Sequence, residues 1–433
     1  MSINLVLRHR IPADANTFYH ATTDPFSNFD ALKGELQTDV CVVGGGLTGV
    51  AAALNLAKKG LSVALLEAQK IGCGASGRNG GHTANGFGSD LGVLEDILGL
   101  ENTRILWQMV DSALGEIDEN IHNYNINCDR SFGYIYAATN SYQLRELEIL
   151  HNRLRTKYNY DKTTLLDKCD LDKLVKTTRY KGALFDKTCG QINPLKYLLG
   201  LTQQLKEMNV KVFEQSPALL ISQAPRISVQ TREGCIKPKY VFLAGNAYLI
   251  SDDTKLVSKS IPVTSFIGVT SPLSAALIQS TLPGNITIAD CNKIPDYYQI
   301  TNGRRMLFGC GVNFLGKEPN NMKQIIEKRI KRLFPQLTAL ELDYTWSGLI
   351  SSTINKLPHI GQINSQIYYA QGFSGHGLVL SGLIGKLISE AITGNSIGFD
   401  LISNIAHRTF PPKPIKNITL GVAECFNKLR QQL

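Results

Sequence analysis

Apolar residues run without a break through Val40-Cys41-Val42-Val43 and stop at Gly44-Gly45-Gly46. They return with alanine and leucine at helical spacing from Leu47 to Lys59, and run again from Leu61 to Leu66 up to Glu67. This order predicts a strand, a glycine turn, a helix stopped by Gly60 and a second strand ending on a carboxylate. Tyr240 to Ala244 and Ile367 to Gln371 are two further buried-strand patterns. They end on the glycine loops Gly245-Asn246-Ala247-Tyr248 and Gly372-Phe373-Ser374-Gly375-His376-Gly377. Both predict strands that deliver loops to one crevice, where open α/β sheets bind their ligands. An amphipathic helix from Leu378 to Ile392 follows the second loop. Residues 133–139, 261–270, 297–301 and 306–312 read instead as strands of an antiparallel sheet.

The glycine turn carries a specific chemistry. Gly44 permits the tight turn, Gly46 lets the backbone approach a pyrophosphate, and Gly49 lets helix and strand pack closely. Leu47 and Thr48 open the helix, whose N-terminus faces phosphate charge. Glu67, eighteen residues after Gly49, suits ribose hydroxyls and repels a 2′-phosphate. Gly72 to Gly77 also fits a GxGxxG pattern but does not follow directly from a strand. Its neighbourhood, Gly74-Ala75-Ser76-Gly77-Arg78-Asn79-Gly80-Gly81, reads as a loop along which FAD lies extended, with backbone N–H groups reaching the pyrophosphate and Arg78 and Asn79 adding donors near the flavin. The expected fold is α/β, a Rossmann-like FAD-binding domain interleaved with an α+β antiparallel-sheet substrate domain. The expected spans are 36–112, 180–250 and 345–410 for FAD, 113–179 and 251–344 for substrate, and 411–433 for a C-terminal amphipathic helix.

Composition narrows the class. The chain has 433 residues, 43% of them hydrophobic and 19% charged, enough for two domains with a large core. A net charge of +9 raises nucleic acid as a partner. The densest basic cluster, Lys328-Arg329 with Lys331-Arg332, sits on a helix whose Ile325, Ile326, Ile330 and Leu333 face inward, so it reads as a solvated face and no nucleic-acid partner is expected. Nine cysteines form no CxxC pair and are odd in number, which points to a reducing cytoplasm without a disulfide frame or a zinc site. No charged-then-apolar leader opens the sequence. Ile418, Val422, Cys425, Phe426, Leu429 and Leu433 share one helical face. Packing on the body is its expected role, with membrane-surface binding or a dimer contact as alternatives.

The His376 loop precedes a helix, so its amides form a positive dipole end suited to the flavin N1–C2 carbonyl. The imidazole itself could touch ligand or stand idle. The chain resembles the FAD-dependent D-amino-acid oxidase superfamily, and within it the γ-glutamylputrescine oxidase group. The likeness covers roughly residues 20–410 and includes Cys41 to Gly49, Gly74 to Gly81, Gly182-Ala183-Leu184, Ala244 to Leu249, Phe334-Pro335-Gln336-Leu337 and Ser374 to Gly377. The blocks Asp290-Cys291-Asn292 and Asp296-Tyr297-Tyr298 point to the narrower group.

With the glycine motifs, the resemblance implies FAD contacts at Gly44, Gly46, Leu47, Thr48, Gly49, Glu67, Ala68, Gly74, Ala75, Ser76, Arg78, Asn79, Gly80, Gly81, Ala218, Gly245, Gly375, His376, Gly377 and Leu378. Sarcosine-oxidase relatives usually carry a lysine where this chain has Leu378-Val379 and a flavin-linking cysteine that residues 346–358 lack, which implies noncovalent FAD and leaves a short N-methyl amino acid without its anchor. The implied reaction oxidises an amine to an imine, hydrolysed to aldehyde and ammonia, with O2 reduced to hydrogen peroxide. His82, Tyr297 or Tyr298, Trp346 and His376 are the expected substrate-side residues, with aromatics shaping a tunnel for an aliphatic amine. Two alternatives remain: an amino-acid dehydrogenase or oxidase passing electrons to a quinone or O2, and a flavoprotein acting as an interaction or RNA-modification factor.

Overall fold

The computed structural model describes residues 2–7, 17–23 and 29–411. The expected tail helix, from 412 onward, lies outside them. The strand Gly34–Val43 leads through the glycine turn into the helix Leu47–Lys58 and the strand Val63–Leu66. Val63–Leu66 and Gly234–Leu243 flank Gly34–Val43 in parallel, and Ile367–Gln371 pairs in parallel with Gly234–Leu243. Val40, Val42, Leu65, Val241 and Phe242 are wholly buried, as a parallel sheet covered on both faces requires. Helices Leu47–Lys58, Pro194–Glu207 and Gly377–Ile392 pack together over one of those faces. The crossing of the first and last is close. A Cβ on Gly385 would stand 2.7 Å from the Ala52 nitrogen and 2.8 Å from the Thr48 oxygen.

The four strands predicted in the antiparallel texture are all present, as Ser131–Ala138, Ile261–Thr270, Tyr297–Ile300 and Met306–Asn313. They belong to a second sheet in which Ile261–Thr270, Met306–Asn313, Tyr297–Ile300, Thr287–Asp290, Ser131–Ala138 and Gly182–Gln191 lie side by side in that order. Strands Gly182–Gln191 and Leu342–Ser352, expected with the nucleotide sheet, hydrogen-bond instead to Ser131–Ala138 and Ile261–Thr270. Ser2–Leu7, outside every expected span, extends the nucleotide sheet.

Helix Met322–Leu333 buries Ile326, Ile330 and Leu333 against the second sheet. Its basic cluster is not wholly solvated, because Arg329 turns in to pair with Asp296. Among the described residues no single helix is long and apolar enough to cross a membrane.

One glycine is a site for gain. Gly115 is exposed within the helix Leu100–Asn123, with open space where a Cβ would stand. Gly115→Ala is expected to stabilise the protein by about 1 kcal/mol by restricting the unfolded chain. A higher thermal midpoint with unchanged flavin content is the readout.

Candidate active site

The carboxyl ends of the parallel strands open on a cavity of about 1300 Å3 that continues beneath one face of the second sheet. Gly44 sits at a φ of +119°, where a Cβ would meet the Ala244 carbonyl carbon at 2.9 Å. Gly49 approaches more closely still, since its Cβ would stand 2.0 Å from the Gly44 oxygen. This contact sets the start of the helix against the strand, with no side-chain cap at Gly46. The Gly45 N–H donates to Glu67 Oε2 at 2.8 Å and the Gln69 N–H to Oε1 at 2.8 Å, so the carboxylate ties the glycine turn to its own strand end. Burial pushes the Glu67 pKa up, opposed by those two donors. Ser76 Oγ accepts the Leu47 N–H at 2.9 Å and brings the second glycine loop to the helix N-terminus.

That second loop is braced from inside and behind. The Asn79 amide donates to the Ala75 and Ser76 carbonyls and accepts the Gly81 N–H, so it spends both ends on its own turn rather than holding donors free for a ligand. Arg78 Nε donates to the Ser347 carbonyl at 2.9 Å, leaving a buried terminal nitrogen without a partner.

Of the expected cofactor residues, Gly44, Gly46, Leu47, Thr48, Glu67, Ala68, Gly74, Ala75, Ser76, Arg78, Asn79, Gly80, Ala218, Gly245, Gly375, His376, Gly377 and Leu378 line the cavity. Gly49 and Gly81 do not. They serve close packing, Gly81 against the Ile192 carbonyl oxygen, 2.1 Å from where its Cβ would be.

On the substrate side, His82 lies edge-on to Tyr134 and Tyr297, with ring centroids 5.4 and 5.1 Å apart. His82 Nδ1 is 3.2 Å from the Tyr134 hydroxyl, and Nε2 is buried without a partner. Burial lowers the His82 pKa to about 3. His376 precedes the helix Gly377–Ile392 without capping it through its side chain, and its Nδ1 is likewise buried and unpartnered. Burial, then the charge of Lys356, lowers its pKa to about 4. Both imidazoles are neutral near pH 7.

Two expected residues are elsewhere. The strand pleat sends neighbouring residues to opposite faces. Tyr297 therefore faces the cavity, whereas Tyr298 is wholly buried in the opposite core, donating to the Tyr180 hydroxyl and stacking on Phe308. Trp346 does not line the cavity. Its indole N–H donates to the Arg78 carbonyl at 2.9 Å and its ring packs on Tyr19, so it supports the flavin loop from behind.

The Asp290-Cys291-Asn292 block and Tyr297 line the cavity, and the two aspartates also brace this wall. Asp290 accepts bonds from the backbone N–H groups of Asn292 and Asp296 and from the Asn292 side chain, while Asp296 pairs with Arg329. Residues that sequence reasoning missed include Tyr134, Tyr136, Trp107 and Asp186, all on the cavity wall. The alternation of Tyr134 and Tyr136 was the one visible signal.

The donors fit a dinucleotide. A helix N-terminus to which Gly46 supplies no side-chain cap, a glycine cradle that Cβ atoms would fill, and an unpartnered Arg78 nitrogen converge on one cleft, with the Glu67 carboxylate at its edge. This cleft, opening onto a chamber under an antiparallel sheet, defines a flavin-dependent oxidoreductase. The chain belongs to the FAD dependent oxidoreductase (DAO) family, whose sequence profile matches residues 39–391, and FAD is its cofactor.

It is 36% identical to gamma-glutamylputrescine oxidoreductase of Escherichia coli K12 over 397 residues, 92% of this chain and 93% of the relative. It is 35% identical to the probable oxidoreductase OrdL of Haemophilus influenzae, covering 88% of each. The crystal structure of L-proline dehydrogenase from P. horikoshii superposes with a TM-score of 0.69 at 20% identity, over 84% of this chain and 94% of that one. Glycine oxidase from Geobacillus kaustophilus gives 0.69 at 21%, over 86% and 99%. These two show the fold.

Proposed function

We propose that this protein oxidises the terminal amine of an extended aliphatic substrate, γ-glutamylputrescine foremost, with O2 as electron acceptor and FAD held noncovalently in a reducing cytoplasm. The relationship to the E. coli oxidoreductase along nearly the whole of both chains carries this reading. A cavity that continues past the nucleotide cleft into an aromatic chamber supports it. Bound FAD supplies a two-electron acceptor. The substrate loses two electrons and two protons to become an imine, which water converts to aldehyde and ammonia. Dioxygen takes two electrons and two protons and leaves as hydrogen peroxide.

The chain's residues bind, orient and exclude water. Gly80 brings the flavin loop against Tyr297, whose ring carbon would be 2.6 Å from a Cβ there, so Tyr297 and His82 wall the junction between nucleotide cleft and chamber. The N-terminus of Gly377–Ile392 places its positive dipole end at the cleft. Anaerobic spectra test the reading. γ-Glutamylputrescine should bleach the flavin band, with peroxide appearing when air is readmitted, whereas putrescine, sarcosine and D-alanine should act weakly. Bleaching by an amino acid alone would move the assignment to an amino-acid dehydrogenase.

The histidines fix a pH prediction. Because burial lowers the pKa of His82 to about 3 and that of His376 to about 4, both are already neutral above pH ~5. Protonating them is an event of acid pH only. The rise of kcat/KM should follow loss of the substrate's ammonium proton toward pH ~10, with no inflection near 6.5. The profile of His82→Gln should keep the same shape. An inflection near the ordinary imidazole value that disappears in that variant would refute the neutral assignment.

A further inference from the structure

Asp186 is a buried carboxylate on the cavity wall that nothing in the nucleotide site uses. Its Oδ1 accepts the Thr188 N–H at 2.9 Å, the Thr188 hydroxyl at 2.8 Å and the Cys189 N–H at 3.2 Å. Its Oδ2 accepts the Tyr160 hydroxyl, at 2.6 Å, and the Cys189 thiol also bonds to the carboxylate. The donors crowd Oδ1 and leave Oδ2 the less occupied oxygen. Among the described residues no cation pairs with it. Lys162 is held by both oxygens of Asp111, and Arg130 by Asp118. A buried carboxylate without a cationic partner is costly, and hydrogen-bond donors offset only part of that cost.

The surroundings suit a cation. Tyr134 is the cross-strand partner of Asp186, and Tyr136 lies on the same face two residues on, its ring 4.8 Å from that of Tyr134. Trp107 completes this side of the chamber. Aromatic faces attract an ammonium and tolerate the alkyl chain that carries it. The His82 and Tyr134 rings are 5.4 Å apart, and Asp186 stands across the strand pair from Tyr134, so the carboxylate lies on the chamber wall past the junction with the nucleotide cleft.

We infer that Asp186 anchors a second, distal ammonium of the substrate, so that the enzyme selects amines bearing a positive charge remote from the carbon that is oxidised. This rests on the amine-oxidation reading above. In γ-glutamylputrescine the α-ammonium of the glutamyl group lies roughly 11 Å from the reacting carbon when the chain is extended, by ordinary bond lengths.

The test compares γ-glutamylputrescine with its Nα-acetyl derivative, which keeps the reacting amine and the α-carboxylate and lacks only the distal ammonium, on the flavin-loaded full chain. Wild type should prefer the substrate with the free α-ammonium in kcat/KM by roughly tenfold to hundredfold, chiefly through KM. Asp186→Asn, which keeps the shape, should collapse that preference to near unity. Equal use of both substrates by wild type overturns the inference without needing any variant, and so does an Asp186→Asn enzyme whose preference is unchanged. If neither amine bleaches the flavin, the functional reading falls and this inference with it; if both do so equally, only the anchor falls.

Discussion

Gly49→Ala is expected to yield a protein that folds but is purified largely without FAD. The added Cβ would stand 2.0 Å from the Gly44 oxygen and 3.2 Å from Val42 Cγ1. The first of these is backbone, just past the buried end of the strand Gly34–Val43, and no rotamer change relieves it. The helix Leu47–Lys58 must move away from the strand Gly34–Val43, and overpacking of this kind costs about 1–3 kcal/mol. The greater loss is functional. Displacing the helix start separates Leu47 from Ser76 and shifts the positive helix end that would face a pyrophosphate. The ratio of flavin to protein absorbance after gel filtration reads the effect, with far-UV circular dichroism as the check on folding. Full flavin content would refute the role given to this contact. Gly115→Ala, where no neighbour intervenes, separates the effect from any general response to replacing glycine.

The same contact explains what could be read from sequence. Gly44, Gly46 and Gly49 act within a few residues of one another, so their spacing already contains the geometry of strand, turn and helix. Glu67 is similar, because a regular helix and a short strand fix its distance from the turn. Legibility ends where a role depends on partners far along the chain. Trp346 was expected in the substrate pocket for its aromatic character, yet its N–H reaches the carbonyl of Arg78, 268 positions earlier. Tyr297 and Tyr298 could not be separated because the second sheet is apolar on both faces, with Tyr297 toward the cavity and Tyr298 in the core formed with Phe308 and Phe334. Asp186 was invisible for a related reason. Its strand, Gly182–Gln191, was grouped with the nucleotide sheet, and only pairing with Ser131–Ala138 sets the carboxylate beside Tyr134.

Glu67→Ala is expected to weaken FAD binding on the order of a thousandfold, from the loss of two carboxylate hydrogen bonds and the ribose acceptor together. The carboxylate holds the Gly45 and Gln69 N–H groups at 2.8 Å each. Removing it leaves both donors unsatisfied, at about 1–3 kcal/mol apiece where water cannot replace the acceptor. Glu67→Gln should fall between alanine and wild type, since one amide oxygen can serve one N–H while the amide NH2 opposes the other. Titration of the apoprotein with FAD measures all three, and equal affinities would refute the assignment.

The pH dependence has a defined sign. Burial raises the Glu67 pKa, so on acidification the group takes up a proton sooner than an ordinary glutamate. A protonated carboxyl is a poorer acceptor for the two N–H groups and for ribose hydroxyls. FAD affinity should therefore begin to fall at a pH above the usual carboxyl range, and this acid-side loss should be absent in Glu67→Gln, which has no proton to gain there.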